Sequence, residues 1–306
     1  MATQYDYLVF IGRFEPFHNG HAAVARHALG KANKLIVLIG SADTPRTIRN
    51  PWTVAERAVM IESALPGESA RLIVRPLRDH LYNESLWIAD VQRQVAEAVQ
   101  ADGGTLDARI GLIGMDKDAS SYYLREFPQW PLEDVQHTAT LSATELRRYL
   151  FEAGEIGFHG GLLMLRGNVP APVYDMLEAF RRNSPSYAQL VAEYRFIEQY
   201  RAAWKDAPYA PTFVTTDAVV VHSGHVLLVR RRAEPGKGLW ALPGGFIGQD
   251  EGLLDGCLRE LREETRLKVP VPVLKGSLRG RQVFDHPERS LRGRTITHAF
   301  HFEFPA

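Results

Sequence analysis

Apolar runs alternate with amphipathic stretches through the first half of the chain. A short apolar run from Tyr7 to Ile11 ends at Gly12, a helical pattern follows from about His21 to Ala32, and LIVLIGSA from Leu35 to Ala42 reads as a second buried strand. Strand, helix and strand in that order predict a βαβ unit. Further apolar runs at Arg71 to Val74 and Ile110 to Gly114 alternate with helical patterns at Val54 to Leu65 and Leu86 to Val99. That alternation predicts an α/β fold with a doubly wound parallel sheet. Ligands of such sheets bind beyond the carboxyl ends of the strands, where both Gly12 and Gly114 fall.

The pattern then changes. From about Ala143 to Trp204 it is mostly helical, with Pro172 and Pro185 as helix starts or breaks, and DAPYAP (Asp206 to Pro211) reads as a hinge. After the hinge, TTDAVVVHSGHVLLVRRR reads as two strands joined by a short turn at Ser223 and Gly224, the start of an antiparallel or mixed sheet. The expected organisation is a first domain over residues 1–183, a helical linker over 184–208 and a second domain over 209–306. A chain of 306 residues with 45% hydrophobic content has enough apolar material for two cores.

Charge and cysteine content narrow the function classes. Formal net charge is zero, and no long run of either sign marks a nucleic-acid footprint or a polybasic membrane anchor. Local positive charge, as at Arg230 to Arg232, suits small anions or solvent. The single cysteine, Cys257, rules out an intrachain disulfide and a thiolate metal cluster. No apolar run approaches the roughly 20 residues needed to span a bilayer, and MATQYDYLVFIG lacks a basic segment followed by a long apolar one. A cytoplasmic protein without nucleic-acid or membrane partners is expected, and a homo-oligomer is compatible with everything above.

Two stretches carry chemistry. In GRFEPFHNGH (Gly12 to His21) a glycine ends a strand and two histidines stand where a helix begins. Glycine lets backbone approach a ligand closely, and a helix N-terminus supplies unpaired N–H groups and positive dipole. Arg13, His18 and His21 can hydrogen-bond a triphosphate there and partly neutralise it. In ALPGGFIGQDEGLLDGCLRELREETRLKV (Ala241 to Val269) the helix places Glu260, Glu263 and Glu264 on one face. Like charges at those spacings repel by a few tenths of a kcal/mol, roughly, per pair. A bound Mg²⁺ or Mn²⁺, which prefers carboxylate oxygen, converts that repulsion into coordination.

The first stretch resembles the HxGH nucleotidyltransferases, and within them the archaeal-type nicotinamide-mononucleotide (NMN) adenylyltransferases. The narrower likeness also rests on GSADTPRTIRNPWTVAERAVMI (Gly40 to Ile61), RDHLYNESLW (Arg78 to Trp87), IGMDKDASSYYL (Ile113 to Leu124) and LSATELRR (Leu141 to Arg148). It implies adenylyl transfer from ATP to NMN, giving NAD and pyrophosphate. His18, His21 and Arg147 would hold the ATP phosphates, with Gly12, Arg13, Phe14, Gly114, Ser142 and Thr144 completing the ATP site and Mg²⁺ bridging phosphate oxygens. Asn50, Arg57, Asp79, Asn83 and Trp87 would bind NMN, with Trp87 stacked on the nicotinamide ring. Without the resemblance, Trp87 reads more readily as core than as a stacking platform, and Arg57 reads as a surface charge beside Glu56.

The second stretch resembles the Nudix box, with Gly245, Glu251, Arg259, Glu260, Leu261, Glu263, Glu264 and Leu267 at matching positions. The resemblance implies Glu260 and Glu264 as main metal ligands, Glu263 as a ligand or a base, Arg259 as their orienter and Glu251 as support from the loop. Arg266 replaces the final glycine of the box. A helix often ends there in a left-handed residue, so Arg266 is expected to cost on the order of 1 kcal/mol or to end the helix differently. Cys257 falls on the apolar side of the helix and reads as packing. Downstream, VFDHPERSLRGRTITHAF (Val283 to Phe300) resembles the Nudix domains fused to these adenylyltransferases, which favour ADP-ribose. Arg289, Arg292 and Arg294 then read as phosphate or ribose contacts, or as a solvated rim. The segment ending at Ala306 is shorter than a complete domain of that kind, so a truncated or reduced domain with an exposed sheet edge is expected.

Together these readings give a bifunctional enzyme: an NMN adenylyltransferase joined to a metal-dependent hydrolase of ADP-ribose, yielding AMP and ribose 5-phosphate. Mg²⁺ or Mn²⁺ is expected at both sites, with ATP, NMN and ADP-ribose as partners. Another acceptor, such as nicotinic acid mononucleotide, remains open. The alternative from another class is an adenylyltransferase carrying a non-catalytic, ADP-ribose-sensing Nudix module, although all the box glutamates are present. A DNA-binding regulator would need a basic recognition helix, and the sequence offers none.

Overall fold

The computed structural model of the chain describes residues 3–105, 107–114, 123–135, 141–153 and 159–304. The middle of the quoted stretch Ile113 to Leu124 therefore lies outside the described residues. The chain divides into two compact units, Met1–Val191 and Ala192–Ala306.

The first unit alternates strand and helix. Its elements are β1 (Tyr5–Gly12), α1 (Asn19–Lys31), β2 (Ala32–Ile39), α2 (Val54–Ala64), β3 (Leu72–Pro76), α3 (Glu84–Ala101), β4 (Ile110–Gly114) and β5 (Leu132–Asp134). Next come α4 (Ala143–Glu152), α5 (His159–Asn168), α6 (Ala171–Asn183) and α7 (Pro185–Ala202), within which the division between units falls. The strands form one parallel sheet in the order β3-β2-β1-β4-β5. The order reverses between β1 and β4, which puts Gly12 and Gly114 at the carboxyl ends of the two strands flanking the switch point.

Burial on both faces explains why these strands read as continuous apolar runs rather than alternating ones. Tyr7, Val9 and Ile11 of β1 pack with Ile36 and Leu38 of β2 against Val91, Val95, Ala98 and Val99 of α3. The intervening residues Leu8, Phe10, Leu35, Val37 and Ile39 are buried too, and α1 and α2 pack on β2. Helix starts are chemically fixed. Thr53 with Glu56 and Ser142 with Glu145 form reciprocal capping boxes at α2 and α4, each cap contributing about 1 kcal/mol. Ala32, expected at the end of a helix, instead begins β2 after its N–H closes α1 on Ala28 O.

The second unit contains β6 (Thr212–His222), β7 (His225–Val226), β8 (Val229–Arg230), β9 (Trp240–Ala241), β10 (Gly244–Phe246), α8 (Leu253–Thr265), α9 (Val271–Gly276), β11 (Leu278–Phe284) and β12 (Arg294–Phe304). Its main sheet is mixed, in the order β10-β6-β12-β11. β6 and β12 are parallel, and β10 and β11 run antiparallel to their neighbours. Ser223 and Gly224 both have positive φ and turn β6 into β7. The stretch after that turn is not one strand. β7 pairs with β6, Leu227 enters the core, and β8 pairs separately with β9.

α8 buries Cys257, Leu258 and Leu261 against Ala218 and Val220 of β6 and Phe300 and Phe302 of β12. Burial pushes the Cys257 thiol up to about 12, so it packs as a small apolar group. The opposite, charged face of α8 carries the glutamates. α8 ends at Arg266 with φ 57 and ψ 27, the left-handed conformation that glycine adopts without cost. Arg266→Gly is therefore expected to stabilise the second unit by about 0.5–1 kcal/mol in urea unfolding. No gain, or a loss, would show that the Arg266 side chain contributes more than its backbone costs.

Candidate active sites

At the switch point, His18 caps α1 and His21 is the third residue of the helix. The His21 N–H donates to His18 Nδ1 at 3.4 Å, and the His18 N–H donates to His21 Nδ1 at 3.3 Å. The rings stack with centroids 3.6 Å apart. Because both Nδ1 atoms accept, the proton of each neutral ring belongs on Nε2, so both histidines present Nε2–H donors. The Phe14 ring packs on His21 at 5.0 Å and is buried, and an added Cβ at Gly12 would lie 2.9 Å from it. The Phe14 side chain is thus committed to packing, and Gly12 has a packing reason beside any ligand-related one. Gly114 is similar, since a Cβ there would meet Leu124 at 2.6 Å.

Three arginines converge beside this helix start. Arg57 is 1% exposed, which excludes the surface-charge reading. Its Nη1 donates to Arg13 O at 2.8 Å and Gly40 O at 2.7 Å, its Nη2 to Ser41 O at 3.3 Å, and its Nε stands 3.2 Å from Glu15 Oε1. Its guanidinium is committed largely to backbone, so it fixes the loops that follow β1 and β2. Arg147 is also buried, donating to Glu15 O at 2.6 Å, Ile48 O at 3.1 Å and Thr144 Oγ1 at 3.1 Å. Burial and then the Arg13 charge lower its pKa to about 10, partly countered by Glu15 and lowered further by Arg49. Concentrated positive charge of this kind is relieved by an incoming polyanion.

The other predicted residues gather around this core by degrees. Arg13 Nη1 lies 3.5 Å from Asn50 Oδ1, and Asp79 Oδ1 accepts the Ser41 N–H at 3.2 Å. Ser142 caps α4, next to Thr144. Asn83 caps α3 by accepting the Leu86 N–H at 3.1 Å. Trp87 is partly buried, edge-on to Tyr123 at 6.0 Å, and the Tyr123 hydroxyl donates to Ile11 O at 3.2 Å. That chain of contacts ties Trp87 to the end of β1.

Glu15 was absent from the predicted site. Its only sequence signal was an acid inside an otherwise apolar and basic motif. It is 1% exposed, its Oε2 accepts the Trp52 N–H at 3.2 Å, and it faces Arg57. Burial pushes its pKa up to about 8 against the opposing pull of Arg57, Trp52 N–H, Arg147 and Arg13.

In the second unit Arg259 gathers the carboxylates. Its Nε and Nη2 hold Glu251 at 3.0 and 2.7 Å, its Nη1 reaches Glu260 at 2.8 Å and Glu263 at 3.2 Å, and Nη2 also donates to Phe246 O at 3.1 Å. Arg259 and then the Gly248 N–H hold Glu251 down at about 2. Glu264 is held differently, accepting the Gly244 N–H at 3.0 Å. A Cβ at Gly245 would stand 2.6–2.7 Å from the Glu260 carboxylate, so glycine there keeps room for that group. As placed, no three acidic, histidine or cysteine side chains among the described residues converge at metal-binding distance. The donor set itself, three carboxylates on one helix face with a glycine cradle, suits a hard divalent cation.

Asp217 was also absent from the predicted site, although it is the lone acid in the apolar strand TTDAVVV. It pairs with Gly244 in the β10–β6 register. Burial pushes its pKa up to about 6 against Arg289 and Arg231, and Glu264 raises it further.

Comparison with known proteins agrees with this geometry in each unit. The Cytidylyltransferase-like family matches residues 9–148, and the NUDIX domain family matches residues 211–305. A nicotinamide/nicotinic acid mononucleotide adenylyltransferase of Acinetobacter baylyi is 34% identical over 63% of this chain and 95% of its own length. A nicotinamide-nucleotide adenylyltransferase of Methanocorpusculum labreanum is 45% identical over 28% of this chain and 51% of its own length. The crystal structure of a bifunctional NMN adenylyltransferase/ADP ribose pyrophosphatase from Francisella tularensis covers 99% of this chain and 86% of that one, at 37% identity and a TM-score of 0.90. A second structure of that bifunctional protein, complexed with AMP and a Mn ion, matches with a TM-score of 0.88.

Burial of Glu15 has a measurable consequence. Folded Glu15 keeps its proton to about pH 8, whereas an unfolded glutamate releases it near 4.5. The folded chain therefore binds more protons between those limits, and this group's contribution to stability falls as pH rises through them. Urea unfolding of wild type and Glu15→Gln from pH 5 to pH 8.5 should show wild type losing stability relative to the variant. Parallel pH profiles would contradict the buried, proton-holding carboxyl.

Proposed function

The chain belongs to the family of bifunctional NMN adenylyltransferases/ADP-ribose pyrophosphatases, and from that membership we propose that it makes NAD from NMN and ATP in its first unit and hydrolyses ADP-ribose in its second. The observation that carries the first activity is the pair of stacked histidines at the start of α1, each accepting a backbone N–H at Nδ1. Adenylyl transfer here needs no covalent enzyme intermediate. The NMN phosphate attacks the α-phosphorus of ATP and pyrophosphate leaves, so the protein's part is positioning and charge stabilisation. His18 and His21 would hold the ATP phosphates, with Arg147, Arg13 and the α4 start at Ser142 and Thr144 around them. Trp87, Asn83, Asn50 and Asp79 would form the acceptor side, with Arg57 positioning the loops that carry it.

In the second unit Glu260, Glu263 and Glu264 would hold Mg²⁺ or Mn²⁺. When bound, the ion supplies charge neutralisation of the diphosphate and activation of water. Arg259 and Glu251 keep the loop from Gly244 to Gly248 against α8. Glu260 and Glu263 would exchange part of their Arg259 pairing for the ion, while Glu264 starts from a backbone N–H. In a purely sensing module the box carboxylates would have no catalytic task, yet all of them are present and gathered on one face.

Turnover of NMN plus ATP and of ADP-ribose alone, each with Mg²⁺, separates the two activities. His18→Ala should reduce NAD formation by at least 100-fold and spare ADP-ribose cleavage, and Glu264→Gln should do the reverse. Wild type that forms NAD, binds ADP-ribose and never cleaves it would make the second unit a sensor. Failure to form NAD would overturn the acceptor assignment.

A further inference from the structure

Between β3 and α3 the chain turns at residues 80–83, where the Asn83 N–H donates to His80 O at 2.9 Å. Tyr82, the third residue of that turn, has φ 65, the left-handed region in which a residue bearing Cβ is strained. Glycine is what such a turn ordinarily carries there. Leu81 is 64% exposed and Tyr82 48%, so burial of their side chains contributes little to holding the turn in place. The Arg78–Asp43 pair just before it lies in solvent, where ion pairs contribute little.

Polar bonds to α3 flank the strained residue on both sides. After it, Asn83 Oδ1 accepts the Leu86 N–H at 3.1 Å. Before it, His80 Nε2 lies 3.3 Å from Asp90 Oδ2, and because a carboxylate accepts, the ring carries its proton on that nitrogen. Asp90 is 8% exposed, and Arg93 holds its other oxygen. A carboxylate this far from water needs partners, and His80 is the one that reaches it from outside the helix. Asp90 stands three residues after Trp87 and therefore beside it on α3. The residues expected to bind the acceptor sit at both ends of the turn. Asp79 precedes His80 and accepts the Ser41 N–H at 3.2 Å, and Asn83 closes the turn.

We propose that His80 and Asp90 are positioning residues for the acceptor mononucleotide: their bond clasps the strained turn to α3 and so sets Asp79 and Asn83 relative to Trp87. The proposal rests on the reading of those three residues as the acceptor side. His80 acts through the main chain that it shares with Asp79, and neither clasp residue needs to touch the substrate. Without the clasp, relief of the strain at Tyr82 lets the turn leave this geometry. A turn that has relaxed must be reordered when the mononucleotide arrives, which weakens binding without altering the transfer step.

Steady-state NAD formation by the full chain, with NMN and ATP varied separately, tests it. His80→Ala and Asp90→Ala should each raise KM for NMN about 10-fold, while KM for ATP and kcat stay within about 2-fold of wild type. The double variant should be no worse than either single one, because the same bond is lost in all three. His80→Gln, whose side-chain amide restores a donor, should recover part of the loss. Amide exchange over residues 79–83 reads the clasp without substrate and should quicken in both single variants. An unchanged KM for NMN, additive losses, or both KM values rising together would overturn the proposal, as would unchanged exchange. Wild type that forms no NAD would overturn the acceptor reading itself, an outcome that the exchange measurement separates from failure of the clasp.

Discussion

One buried guanidinium holds the first active site together. The ends of β1 and β2 leave the sheet with carbonyls that strand pairing no longer satisfies, and Arg57 collects three of them, from Arg13, Gly40 and Ser41, while facing Glu15. Buried carbonyls without donors would cost about 1–3 kcal/mol each, so removing the one guanidinium that serves all three would leave them unmet together. The arrangement therefore stands or falls as a unit. Its consequence is that the loop that carries His18 and the loop after β2, whose Ser41 N–H donates to Asp79, are fixed relative to each other. Arg147 repeats the device from α4 by binding Glu15 O and Ile48 O.

The second unit uses the same chemistry with a different balance. Arg259 is more exposed than Arg57 and bonds carboxylates rather than mostly carbonyls. Its fork holds Glu251 with two parallel bonds, the strongest form of such a pair, and the same Glu251 accepts the Gly248 N–H. Glu251 is thereby the fixed member, and Glu260 and Glu263 are the exchangeable ones. The glutamates crowd one face, an arrangement that a bound divalent cation would favour. Arg259 offsets their repulsion meanwhile.

The fold was legible where period and spacing decide it. Parallel strands buried on both faces announce themselves as apolar runs, so β1, β2 and β4 fell close to their expected positions, and Gly12 and Gly114 could be placed at the switch point. The box helix was equally plain, including the misfit at Arg266, which the structure places in the left-handed conformation. Arg57 and Glu15 were not legible in this way. A charged residue on a helix reads as solvated unless its partner is known, and here the partner lies 42 positions away in sequence across the sheet. The parallel pairing of β6 with β12 is similarly invisible, because Thr212 meets Arg294 only after the whole box has been folded between them. Asp217 carries the same lesson: a lone acid in an apolar strand marks burial, but only the register with Gly244 shows what it is buried beside.

Amide hydrogen exchange on Arg57→Lys tests most directly whether one guanidinium joins the two loops. Lysine keeps the charge but cannot reach several carbonyls with a planar fork. The account requires faster exchange in the segments around residues 13–18 and 40–44 together, with β1 and β2 still protected. Exchange unchanged in both segments, or raised in only one, would show that the loops are held independently and that Arg57 is not the link between them.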